Sequence, residues 1–452
     1  MARVLFAAVL SVTALFLSLS LLVAGSNMQG TLSAVRLGMD GFSPGTIGLV
    51  MAAHSVGFVT GAIYGVNIIR RVGHIRAFAA FAAIACASVL AHPLLVEPVL
   101  WFALRVVLGF VVAGLMTVGE SWISDRATAQ TRGTLLGIYT INFYLASAAG
   151  QFLVAVADPA TFVPFTLVAI LMVLSLVPLC LTSAQVPVLP AASSRLRFRE
   201  LVAASPTGVS GALVGGVALG AFLAMGPVYA LQAGLETAQV SVYMGSAVLC
   251  AILLQWPAGW ASDIYGRRRV LVGLAAGGAL AAALVALLGT FSVGVLFAGT
   301  GAFVAMAASL YPVSLANTND HLHAEHAVGA SAGMLRSYGI GTIIGPVAAA
   351  LAMGQLGPGG LFAFVAVTLV LLALVIYYRV SFIPGVPLAE QGDYVAASPL
   401  STPMIAELDP RQEEFAAYQE PAVANYDYAD EVELEALRGT ARNAADESPK
   451  PE

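Results

Sequence analysis

Along the chain, long apolar runs alternate with short polar interruptions, and the runs dictate the elements. Twelve stretches of about 20 residues carry almost no charge: about 4–24, 45–68, 75–95, 98–121, 133–156, 161–182, 207–231, 240–262, 269–289, 292–315, 328–352 and 360–380. About 30 Å of hydrocarbon is crossed by about 20 helical residues at 1.5 Å rise each, so each run predicts a membrane-spanning helix. The first run is preceded by Arg3 alone and exceeds the core of a signal peptide, which predicts an uncleaved first helix. The polar interruptions are as telling. In "GWASDIYGRRRV" (259–270) an Asp and three consecutive Arg sit between two uncharged runs.

Composition agrees with a lipid solvent. Hydrophobic residues make up 59% of the 452 residues and charged ones 10%, where a soluble domain carries about 25% charged. Residues 1–380 hold 16 Arg against 10 acids, and residues 381–452 hold 4 basic residues against 15 acids. The apolar part is therefore mildly basic and the tail strongly acidic. From about residue 385 the tail is rich in Pro, Ala, Glu and Asp, a composition that predicts disorder. Cys86, Cys180 and Cys250 all lie in apolar runs and read as small hydrophobes rather than a disulfide or metal framework.

The arginines orient the spans. Even-numbered connections hold Arg70, Arg71, Arg76, Arg126, Arg132, Arg195, Arg197, Arg199, Arg267, Arg268 and Arg269, while odd-numbered ones hold Arg36 alone. This asymmetry places the even connections and both termini in the cytoplasm.

The chain also repeats itself. Gly73 and Gly266 are 193 residues apart, as are Met51 and Met244; Asp125 and Asp320 are 195 apart, as are Gly150 and Gly345. The expectation is an all-α membrane protein of two pseudo-symmetric six-helix bundles, residues 1–182 and 207–380, joined by a cytoplasmic linker, 183–206, and followed by the acidic tail, 381–452. Two similar halves facing each other suit a rocking transporter with its site near the midplane.

These residues resemble the major facilitator superfamily. "GWASDIYGRRRV" is similar to that superfamily's loop signature, "RVVLGFVVAG" (105–114) to its fourth-helix signature, and "GIGTIIGPVAA" (339–349) to its glycine-proline helix signature. "GESWISDRAT", "VGHIRAF" and "YPVSLANTND" resemble the YcaD-type subgroup. The resemblance covers about residues 1–380 and implies a multi-pass protein of a bacterial inner membrane. It departs from the pattern in the first half, where Arg70 occupies the position that matches Asp263.

For the site, the resemblance implies that Asp263, Gly266 and Arg267 belong to a gate. Asp263 would meet the start of the fifth helix, which carries Arg132, and Arg267 would meet an acid at a helix end, for which Asp320 is the candidate. For Asp263 a solvated turn is the alternative; Arg268 and Arg269 are expected to contact lipid phosphate. Arg105 lies about 10 Å inside the fourth span, where a charge marks an internal polar site or snorkels to the surface. Glu120 is the one acid of residues 1–380 expected inside a span. It is a candidate proton carrier or an ion-pair partner of Arg126 or Arg132. His54 is the alternative carrier. Arg336, Asn142, Tyr139, Gln29, Gln151, Gln255 and Tyr338 are candidates for the central cavity, whose walls are expected to be uncharged and poor in aromatics.

No phosphate-cradling loop, zinc-protease motif or Ser/His/Asp arrangement occurs, so no enzyme chemistry and no cofactor is expected. "DHLHAEH" (320–326) lacks ordered ligand spacing, and no metal is expected there. The function expected is secondary transport of a small organic solute by alternating access, proton-coupled, in the export direction, by a monomer whose partners are the solute, the proton and membrane lipids, and no nucleic acid. The alternative is a receptor or scaffold of the same fold that signals through its acidic tail.

Overall fold

The computed structural model describes residues 2–127, 131–181, 196–322, 326–392 and 394, with the side chains of 2–12, 327 and 328 excepted. Its long helices, in chain order, are α1 Ala2–Met39, α2 Pro44–Val72, α3 His74–Ala91, α4 Pro98–Arg126, α5 Arg132–Leu153, α6 Val163–Leu174 extended by Leu176–Cys180, α7 Pro206–Gln232, α8 Thr237–Tyr265, α9 Arg267–Leu288, α10 Val293–Asn319, α11 Ala327–Leu356 and α12 Gly360–Phe382. All twelve contain a stretch long and apolar enough to cross a membrane. Proline opens α2, α4 and α7, where its missing N–H costs nothing and its fixed φ suits the first turn.

The first helix ends later than its apolar run. The span expected to end near residue 24 continues to Met39, with the apolar crossing stretch at Thr13–Met39. Residues 25–33, "GSNMQGTLS", look too polar for a lipid-facing helix. They face protein instead: Gln29 and Ser33 are fully buried, and Thr31 is 1% exposed.

The two halves pack alike. In the first, α1 packs on α5, α2 on α4 and α3 on α4 and α6; in the second, α7 packs on α11, α8 on α10 and α9 on α10 and α12. A Cβ at Gly150 would lie 2.2 Å from the carbonyl oxygen of Ala24, and one at Gly345 would lie 2.3 Å from that of Val217, so the same close helix approach recurs in each half. The α2–α3 and α8–α9 turns are also equivalent: Gly73 has φ 86° and Gly266 φ 87°, a left-handed conformation that glycine adopts without strain. Across the halves, α2 packs on α11 and α5 on α8.

Most of the linker, 182–195, lies outside the described residues, as does the tail beyond Tyr394. The linker's end forms a short helix, Phe198–Ala204, whose Glu200 carboxylate accepts from the Arg197 N–H at 3.0 Å. The start of the tail differs from the disorder expected from 385. Leu388–Glu390 forms a 3-10 turn, and Gly392 and Tyr394 are bonded to the bundle. The apolar contacts of Tyr394 and the charges that face this segment explain why acidic composition does not decide its state.

Candidate functional site

A cavity of about 150 Å³ lies between the halves, walled by α1, α2, α4 and α5 from the first and by α7 and α11 from the second. Gly30 on α1 opens it, because a Cβ there would meet nothing within 4 Å. Part of its polar wall is satisfied internally. Asn27 donates to Ser147 Oγ at 3.2 Å and to the Val23 carbonyl at 2.9 Å, and Thr31 donates to Gln151 Oε1. Two groups differ. Arg105, only 4% exposed, faces the cavity from α4 with its Nε lacking a hydrogen-bond partner among the described residues. His54 faces it from α2 with Nδ1 equally unmatched and its ring 6.4 Å from that of Phe58. Among the described residues, no Asp or Glu lines this cavity.

Of the residues proposed for a cavity, the structure brings Gln151 and Tyr338 to this wall, together with Arg105 and His54. Asn142 is instead bonded to Ser20 at 2.8 Å, Gln29 to Ser33 at 3.2 Å, and Gln255 to Tyr144 at 3.2 Å. Arg336 is exposed and does not line the cavity. Its helix turns that position outward while Leu335 and Tyr338 face in. The wall is also neither uncharged nor poor in aromatics, since Arg105, Phe58, Phe143 and Tyr338 all line it. Asn27, Thr31, Ser55 and Thr342 were not singled out from sequence. The signal for the first two was the polar run that seemed to end the first helix.

Glu120 lies deeper along α4 and is fully buried. The Tyr139 hydroxyl of α5 donates to its Oε1 at 2.5 Å. The pair is away from the cavity wall.

A second cluster lies at the arginine-rich end of α8, α9 and α10. Gly266 turns the chain so that Arg267 starts α9 with its side chain 1% exposed. Its guanidinium donates to Ser262 Oγ at 2.6 Å, to Asp263 one helical turn earlier, and to Asp320 at 3.3 Å. The post-α12 segment joins them. Arg267 donates to the Gly392 carbonyl, Gly392 N–H donates to Asp320 at 3.2 Å, and Tyr394 N–H donates to Asp263 at 3.2 Å. The Tyr394 ring stands against Gly259, and its hydroxyl reaches Gln255 at 3.5 Å. Desolvation, with the Tyr144 hydroxyl adding to it, holds this phenol well above its ordinary pKa. The contacts shown for Asp263 thus go to Arg267 and the tail, rather than to Arg132. Arg268 is a correction to the lipid-phosphate reading: it donates to the carbonyls of Ile383 at 3.1 Å and Pro384 at 3.2 Å and contacts His321 at 3.2 Å. Residues 323–325 of the His-rich loop lie outside the described residues.

Comparison with known proteins gives a consistent family. The model of the Major Facilitator Superfamily matches residues 4–256 and 234–404. The "Uncharacterized MFS-type transporter YcaD" of Salmonella enteritidis PT4 (strain P125109) is 25% identical over 360 residues, covering 78% of this chain and 91% of that protein. Among solved structures, nucleoside transporter NupG superposes with a TM-score of 0.65 at 14% identity, covering 82% of this chain and 99% of that one. A D-xylose-proton symporter superposes at 0.62 and 16% identity, covering 83% and 98%. At such identities these two structures speak for the fold alone.

Proposed function

This chain belongs to the Major Facilitator Superfamily, a family of membrane carriers, and we propose that it moves a small organic solute by alternating access, coupled to protons. The observation that carries this reading is the cavity walled by helices of both halves. A site shared between two bodies is exposed to one side or the other as they rock. The rocking bodies are residues 1–182 and 207–380, with the cluster around Arg267 as the gate of one end. The excess of Arg at that end favours a cytoplasmic orientation for it.

Coupling is assigned to Glu120. It is an acid fully buried within a span, and an ionisable group inside a membrane marks an ion or proton path. Tyr139 supplies a hydrogen bond that holds the ionised form in one of its two states. The direction of transport follows the gradients of proton and solute.

The experiment is carried out in proteoliposomes with a pH dye in the lumen. Members of an organic-solute library are added outside, and both lumenal pH and solute uptake are followed. The wild type is expected to move protons with at least one solute. Glu120→Gln is expected to equilibrate that solute without moving protons. If no solute moves in the wild type, the transporter reading fails. If Glu120→Gln still moves protons at the wild-type ratio, coupling resides elsewhere.

A further inference from the structure

We propose that the central cavity recognises the carboxylate of a small, mainly apolar monocarboxylic acid, and that Arg105 is the group that binds it. The proposal rests on the transporter reading for the role of the cavity, and on the chemistry of its wall for the class of solute.

The charge carries the argument. Arg105 sits seven residues into α4, about 10 Å from the helix start. A snorkelling arginine would reach water and be exposed, whereas Arg105 is only 4% exposed. A guanidinium does not release its proton in a protein, so this site stays cationic. A buried charge is costly without a counter-charge. The cavity wall offers no Asp or Glu, and Arg105 Nε has no partner among the described residues. Glu120, on the same helix, is 15 residues further on, about 22 Å along the axis. What completes this site is an anion in the cavity.

Geometry and volume narrow the class. The planar fork of guanidinium matches a carboxylate in a bidentate pair. His54 adds an unmatched ring nitrogen on the same wall. A doubly charged group such as a phosphate monoester would find a single cation among the lining residues. The remaining wall is largely apolar, with Phe58, Phe143, Met51, Met116 and Leu223. A volume of about 150 Å³ is of the size that holds one benzene ring. The occupant is therefore a compact aromatic or short aliphatic body bearing one carboxylate. Amines are repelled, and neutral sugars or amides leave the arginine uncompensated.

The test is thermal unfolding of the purified full-length protein with benzoate, benzamide and benzylamine, and with hexanoate and hexanamide, each at equal millimolar concentration. The acids are expected to raise the melting temperature and the matched amides and amine to leave it unchanged, a comparison that needs no variant. Arg105→Gln is expected to bind the acids at least about tenfold more weakly, the value of a charge-assisted hydrogen bond. Arg105→Lys, which keeps the charge and loses the fork, is expected to fall between. The proposal is overturned if amides or the amine stabilise as well as the acids, if neither acid stabilises, or if Arg105→Gln binds the acids like the wild type. Acid binding that depends on Arg105, with no flux in proteoliposomes, would leave this site standing and remove the transporter reading. Flux of neutral amides that is indifferent to Arg105 would do the reverse.

Discussion

Single residues set how closely these helices pack. At Gly109 of α4 a Cβ would lie 2.0 Å from the carbonyl oxygen of His54 on α2. The obstacle is backbone, so only parting the helices would make room. Gly137 on α5 has nothing within 4 Å of the same position. Gly109→Ala is therefore expected to lower stability by about 1–3 kcal/mol through overpacking, only partly offset by the better helix propensity of Ala. Gly137→Ala is expected to be neutral or slightly stabilising. Melting curves in detergent compare them, and equal melting temperatures would contradict the close approach. Gly109 was visible in the sequence as part of "RVVLGFVVAG". The identity of its neighbour was not, because helix contacts between α2 and α4 depend on which faces meet and not on any local pattern.

Among elements, the segment after α12 is the one whose state composition misjudged. Its acidic, proline-rich character predicts disorder, yet Gly392 and Tyr394 complete the charge cluster of Asp263, Arg267 and Asp320. Twelve apolar runs were legible because each span must satisfy its own backbone in lipid, and that constraint is local. A docked tail satisfies a few specific groups at long range and leaves no period behind. The contact makes a coupled prediction. A Cβ at Gly259 would lie 2.2 Å from the Tyr394 ring, so Gly259→Ala is expected to destabilise the wild type. In a Tyr394→Ala background the ring is gone, and the same substitution is expected to be neutral or to stabilise by up to about 1 kcal/mol through helix propensity. A double-mutant cycle on melting data reads the difference. Additive effects would mean that Tyr394 does not rest on α8.

For the whole molecule, the repeat of glycine and charge markers spelled out two halves, whereas the composition of the cavity was missed. Arg105 was evident as a deep charge, but that no acid faces it among the described residues of the cavity wall depends on six helices together. The proposed rocking has a geometric consequence at this scale. α2 and α11 meet at two levels: near the arginine-poor end, a Cβ at Gly48 would lie 2.5 Å from Ala350 Cβ, and further along, one at Gly339 would lie 3.7 Å from Val59 Cβ. Gly48 and Val59 are eleven residues apart, about 16 Å along the helix. The second separation already suits a disulfide, whose Cβ atoms sit about 3.8 Å apart, and the first needs the helices to part by about 1 Å. If the halves rock about the middle of their interface, the end pair separates most in each cycle. With the three native cysteines replaced, the Gly48→Cys/Ala350→Cys bridge is expected to stop flux, and the Val59→Cys/Gly339→Cys bridge to slow it far less. Because the arginine-poor end is expected to face outward, a membrane-impermeant phosphine added to whole cells is expected to restore flux in the first variant. Full flux with the end bridge closed would rule out separation of α2 from α11 at that end. Restoration only after permeabilising the cells would invert the orientation.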